Sequence, residues 1–182
     1  MPAPTPTGQA SPPSAPAAAP LPHTRADFQD TKQALFAQVL GAGASTRGLQ
    51  DSLLALSNAT DTVLRQLWHW ADMPADWALL AVGGYGRAEL FPHSDVDVLV
   101  LLPDGVEAPD AAAQAKLEAF ISGCWDTGLE IGASVRSIAQ SETLAREDLT
   151  TQTAMLEARQ IVGAPARFAA FAQAIRAVTD PA

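Results

Sequence analysis

The run Asp95-Val-Asp-Val-Leu-Val-Leu-Leu102 constrains the fold more than any other stretch of the chain. Beyond Asp97 it is Val and Leu throughout, and Pro103-Asp104-Gly105 closes it. Successive side chains in a strand point to opposite faces, so a strand apolar on both faces must lie centrally in a sheet that is covered on each side. Upstream, Trp77-Ala-Leu-Leu-Ala-Val-Gly-Gly84 is short and apolar and ends in glycine. It reads as a second buried strand that runs straight into a turn.

Helical patterns surround these strands. From Thr24, Phe28, Leu35, Phe36, Val39 and Leu40 share one face, and Gly41-Ala-Gly-Ala-Ser45 breaks the segment. Leu49, Leu53, Leu56, Val63, Leu64 and Leu67 form a second helical stripe ending at Trp68–Trp70, with Pro74 as a stop. Leu117, Phe120, Ile121, Cys124 and Trp125 predict a helix that covers the sheet. Leu129–Ile138 predicts a third strand, and Asp148–Gly163 predicts one helix beginning near Asp148 or Thr150. Phe168, Phe171, Ile175 and Val178 predict a last helix after Pro165, whose stripe is either core or a face that meets further domains. The expected order is α-α-β-β-α-β-α-α, with no internal repeat: an α+β (mixed α/β) domain with a small mixed sheet covered by helices.

The first residues carry no charge and are dominated by Pro and Ala, so 1–23 is expected to be a disordered tail. Residues 24–74 then form an N-terminal helical segment, 75–163 the core, and 164–182 a C-terminal helix. A length of 182 residues with 48% hydrophobic content accommodates one ordinary domain with a sizeable core. A net charge of −9 argues against broad electrostatic attraction to nucleic acid or an anionic membrane, and leaves room only for a small basic cleft. The single cysteine, Cys124, excludes an internal disulfide and a Cys-based zinc site, and its place between Phe120 and Trp125 reads as core. No run approaches the ~20 apolar residues of a membrane span. The N-terminus lacks a basic region and a Leu-rich segment. A soluble, cytoplasmic protein is expected. His69, between two Trp residues, reads as a helix-end packing residue and His93 as a turn residue.

Chemistry concentrates between Gly83 and Asp97. The string Gly83-Gly-Tyr-Gly-Arg-Ala-Glu-Leu90 has neither the Gly-Lys-Ser/Thr ending of a P-loop nor the third glycine of a dinucleotide fingerprint. Such a turn still brings backbone N–H groups close to a phosphate. Asp95 and Asp97 are two apart, so in a strand they project to one face about 7 Å from each other. Two carboxylates beside an apolar sheet repel and lose hydration, and a divalent cation shared with substrate phosphates relieves both costs. The alternative is that Asp95 caps a turn and Asp97 pairs with a base such as Arg87.

Gly83-Gly84, a spacer, and Asp95-Val-Asp97 among apolar residues resemble the nucleotidyltransferase superfamily that includes polymerase β. The longer strings Ala81–Leu102 and Cys124–Gly163 resemble, more narrowly, the N-terminal domain of the bacterial P-II uridylyltransferase/uridylyl-removing enzymes. The resemblance runs from Trp77 to Phe171 and is carried by Gly-Tyr-Gly-Arg-x-Glu-Leu and Ser134-Val-Arg136. It implies a polymerase β-like fold and transfer of UMP from UTP to a tyrosine of the P-II nitrogen-signalling protein, releasing pyrophosphate. Gly83 and Gly84 would contact the triphosphate, Asp95 and Asp97 would hold Mg²⁺ (or Mn²⁺), and Ser94 would reach a phosphate. Arg87 is either a phosphate contact or the ion-pair partner of Glu89 or an aspartate. Rival readings are an adenylylating transferase of the same superfamily and a catalytically silent nucleotide-binding or interaction module.

The sequence departs from that pattern in three places. Relatives often carry a third carboxylate on the later strand; here Glu130 is the only acid, Ser134 stands near the equivalent position, and the third role is unassigned. Ala88 replaces a usual glycine, which matters if φ is positive there. The resemblance also implies further HD hydrolase and regulatory ACT domains. Of His23, His69 and His93 none precedes an aspartate, so the chain as given is expected to lack uridylyl removal and glutamine sensing.

Overall fold

The sheet is built around β2 (Val96–Leu101), the Val/Leu run that follows the first aspartate. In this computed structural model, which describes residues 20–41 and 46–179, β2 is flanked by β1 (Ala78–Ala81) and β3 (Ile131–Arg136). β4 (Arg159–Val162) adds to the far side of β1, giving the order β3-β2-β1-β4. β1 runs antiparallel to β2 and β4, and β2 runs parallel to β3, so the sheet is mixed as expected.

The strand alternation divides the core in two. Leu79, Ala81, Val96, Val98 and Val100 face one layer, with Leu56, Leu64, Leu67, Trp68 and Phe120. These come from α2 (Thr46–Trp70) and α4 (Ala111–Thr127), and α1 (Arg25–Gly41) adds Phe28. Trp68 and Phe120 meet edge to face at 5.4 Å, an arrangement that adds to their area burial. Ala78, Leu80, Leu99 and Leu101 face the other layer, with Ala145, Met155, Phe171 and Ile175. That layer is α5 (Ile138–Glu147), α6 (Leu149–Leu156) and α7 (Pro165–Thr179). A short helical turn, α3 (Gly83–Gly86), follows β1 directly.

Several expectations need correction. Asp148–Gly163 is not one helix: α6 ends at Leu156 and the chain extends into β4. A separate helix, α5, precedes it, opened by a reciprocal cap in which Ser137 accepts from the Gln140 N–H and the Gln140 side chain accepts from the Ser137 N–H. Leu49 and Trp125 lie 43% and 49% exposed, off the buried faces to which helical spacing assigned them. His69 sits at the end of α2 but is exposed. The Phe168, Phe171 and Ile175 stripe is core and is covered by the chain itself.

Most of the stretch read as a disordered tail, and the break at 42–45, lie outside the described residues. At its end, however, Leu21 packs on the core and His23 contacts Gln66, so contact with the domain begins before residue 24. Among the described residues no helix is long and apolar enough to cross a membrane.

Candidate active site

β1 delivers the chain to the site. Val82 is still extended, with φ −129° and ψ 164°, and Gly83 then turns at φ +59°. That left-handed value favours glycine, because a Cβ would crowd the following carbonyl. The turn closes through Gly86 N–H to the Val82 carbonyl and Arg87 N–H to the Gly83 carbonyl, both 3.1 Å. As at any helix start, the N–H groups of Gly83 and Gly84 lie outside the turn's own ladder. A Cβ built on Gly84 would meet only ordinary contacts, 3.7 Å or more away, so internal packing does not demand glycine there.

The glycine turn and the acidic pair are joined through the backbone. Val82 N–H donates to the Asp97 carbonyl at 3.1 Å, which places the start of the turn beside the second aspartate. Asp97 is a β2 residue, while Asp95 lies just before the strand. Burial, and then the charge of Asp95, push the Asp97 carboxyl above the usual carboxylate range. This is the electrostatic conflict that the spacing implied, and a hard cation at the pair would relieve it.

Asp97 stands between two cavities. One, of about 360 Å³, is lined by Gly83, Asp97, Leu99, Ser134, Arg136 and Thr151, among others. The other, of about 470 Å³, includes Gly84, Arg87, His93, Ser94, Asp95 and Asp97. The structure therefore gathers these residues around Asp97, with Gly83 on the first cavity and Gly84, Ser94 and Asp95 on the second. Ser94 is held in a turn by its N–H to the Phe91 carbonyl, 3.2 Å.

Arg87 borders the second cavity, paired with Glu89 at 2.8 Å and with Glu157 at 2.6 Å. Of the two roles open to it, the ion pair with Glu89 is present, and Glu157 is an additional partner.

The third acid is not found on β3. In the parallel register Asp97 lies opposite Gly132, and a Cβ at 132 would come within 2.6 Å of Asp97 Oδ1. Any side chain at 132 would require the Asp97 carboxylate to move. Ser134 is two residues further, opposite Leu99, with its Oγ donating to the Val98 carbonyl at 3.4 Å. Glu130 lies just before β3, its carbonyl accepting from Val96 N–H at 2.7 Å, and lines a small cavity with Phe28 and Lys32 that shares His93 and Ser94 with the second cavity. Among the described residues no group of three or more His, Cys, Asp or Glu side chains is placed to hold a metal ion. Two carboxylates at an open cleft suit a cation that takes its remaining ligands from substrate and water.

Beneath the turn lies a network that spacing did not reveal. Tyr85 Oη donates to Asp61 Oδ1 at 2.6 Å, and Arg159 donates to both Asp61 oxygens and to the Tyr85 carbonyl. Arg65 adds a 3.3 Å contact to the same carboxylate. Burial first, and then Asp61, hold the Tyr85 hydroxyl above its ordinary range, so it stays a donor. Asp61, Tyr85 and Arg159 come from α2, α3 and β4, and no local motif links them. Cys124 is fully buried, and burial pushes its thiol up to about 12, which removes it as a nucleophile.

The family model described as "Putative nucleotidyltransferase DUF294" matches residues 30–133. The chain is 48% identical over 157 residues to the bifunctional uridylyltransferase/uridylyl-removing enzyme of Burkholderia vietnamiensis, covering 85% of this chain and 18% of that protein. It is 46% identical over 169 residues to the enzyme of that name in Burkholderia thailandensis, covering 92% and 19%. For Burkholderia pseudomallei the identity is 47% over 156 residues, covering 86% and 17%. The chain thus spans less than a fifth of the length of these relatives.

Proposed function

The chain belongs to the DUF294 nucleotidyltransferase family, and from that premise we propose that it transfers UMP from UTP to a tyrosine of the P-II signalling protein, with Mg²⁺ and release of pyrophosphate. The observation that carries this reading is the backbone junction of the glycine turn with the aspartate pair, Val82 N–H to the Asp97 carbonyl. The choice of UTP is supported by the names of the relatives, and P-II as acceptor by the resemblance of residues 77–171.

In this reading Asp95 and Asp97 hold the cation, and Gly83 and Gly84 offer backbone N–H groups to the phosphates. The bound cation supplies charge neutralisation of the phosphates and alignment for in-line displacement. Ser94 donates its hydroxyl toward the same phosphates. Arg87 acts through structure, since Glu89 and Glu157 already engage its guanidinium on two sides. With no third carboxylate at the pair among the described residues, the proton of the attacking hydroxyl leaves to solvent or to a group on the acceptor protein.

The test is incubation with labelled UTP or ATP, Mg²⁺ and P-II protein. Label from UTP is expected, and it should be lost when Asp97 becomes Asn. Label from ATP alone would replace the uridylyl reading with an adenylylating one.

A further inference from the structure

The 360 Å³ cavity beside Asp97 ends at a cation that the fold does not use. Arg136 closes β3 and is half-buried. Its backbone is fixed by its carbonyl, which accepts from Leu102 N–H at 2.9 Å. Its guanidinium has no ion-pair or side-chain hydrogen-bond partner among the described residues. Glu147 lines the groove on the outer side of Arg136, yet the two do not pair. The other arginines around the site are engaged: Arg87 by Glu89 and Glu157, Arg159 by Asp61. A half-buried guanidinium that no protein group engages keeps its donors available to a ligand entering the cavity.

Register sets its distance from the acidic pair. Asp97 lies opposite Gly132 and Leu101 opposite Arg136, so Arg136 enters four residues along the strands, roughly 13 Å away at 3.3 Å per residue. An arginine side chain reaching back along the cavity and a chain of phosphates reaching out from a cation at the pair meet in that interval. Its planar fork is matched to phosphate oxygens and always charged. Ser134 and Thr151 line the way between them.

We infer that Arg136 binds the terminal phosphates of the nucleoside triphosphate, the part that leaves as pyrophosphate. This rests on the nucleotidyltransferase reading and deepens it. The test is calorimetric titration of the chain with MgUTP, UMP and magnesium pyrophosphate, without acceptor protein. Arg136→Ala and the near-isosteric Arg136→Gln are expected to weaken MgUTP and pyrophosphate by about 10- to 100-fold, the range of a lost charge-assisted bond. UMP affinity should stay unchanged, and Arg136→Lys should recover part of the loss because charge remains without the fork. Equal loss of UTP and UMP would move Arg136 to the nucleoside and overturn the inference, as would no loss at all. If the unsubstituted chain binds no MgUTP, the nucleotidyltransferase reading itself fails. A variant that melts early is set aside in favour of the Gln or Lys form.

Discussion

Ala88 adopts φ +60°, the left-handed region in which a Cβ is strained. This is the position where the resembling family carries glycine, so the methyl group sits where the backbone least accommodates it. The strain is about 1–2 kcal/mol, and glycine gives back about 0.4–1 kcal/mol through its freer unfolded chain. Ala88→Gly is therefore expected to stabilise the protein by up to about 1.5 kcal/mol. Urea unfolding should show a higher midpoint with the slope unchanged. A lower midpoint would mean that the methyl makes packing contacts stronger than the strain. The aspartate pair was legible from sequence because residues two apart in a strand share a face whatever surrounds them. The partners of Arg87 were only half legible: Glu89 is two residues on, whereas Glu157 arrives from beyond two further strands. Gly132 was not legible at all, since its meaning comes from a cross-strand register.

The elements that sequence reading found were those whose pattern is local: α2, β1, β2 and α4 each carry their own periodicity. β4 has four residues with no flanking turn residue at Glu157-Ala158, and the preceding Leu149–Leu156 is helical, so the whole stretch reads as one helix. What makes it a strand is the free edge of β1, with Ala81 opposite Arg159, and the buried carboxylate that draws in Arg159. By contrast, Ser137 and Gln140 carry a capping-box spacing, so the start of α5 was open to reading. The Asp61 network ties α2, α3 and β4 together and supports the glycine turn from below. Tyr85→Phe removes a single bond at 2.6 Å while Arg159 and Arg65 still satisfy Asp61, and should cost about 1–2 kcal/mol. Asp61→Ala strips the shared acceptor from a buried hydroxyl and a partly buried guanidinium, and should cost about 3–5 kcal/mol. Denaturant midpoints of the two variants check that order. Equal losses would show that the carboxylate matters only through Tyr85.

At the scale of the molecule, the mixed sheet with a helical layer on each face followed from one property of β2, its two apolar faces. Which face carries the site did not follow, because that depends on where α5, α6 and α7 leave the sheet uncovered. The cleft lies at the end of the sheet where β1 passes into the glycine turn, beside Asp97. Because the Asp97 carboxyl is held above its unfolded-chain value, the native state binds that proton more tightly than the unfolded chain. Its contribution to stability is therefore greatest at acid pH and falls as pH rises through the native value. Once that proton is lost, the ion-free protein carries an unfavourable charge at its own site. Asp97→Asn should leave the ion-free melting temperature unchanged or raised at pH 7. Ligand acts in the opposite sense: a complex that binds only the native state stabilises it by about 2.7 kcal/mol at a hundredfold excess over Kd. For a chain of this size that corresponds to a rise of roughly 5–10 °C. MgUTP should produce that rise in the unsubstituted chain, UTP with a chelator should produce little of it, and Asp97→Asn should show none. A variant that melts like the parent alone but still rises with MgUTP would separate nucleotide binding from the aspartate pair.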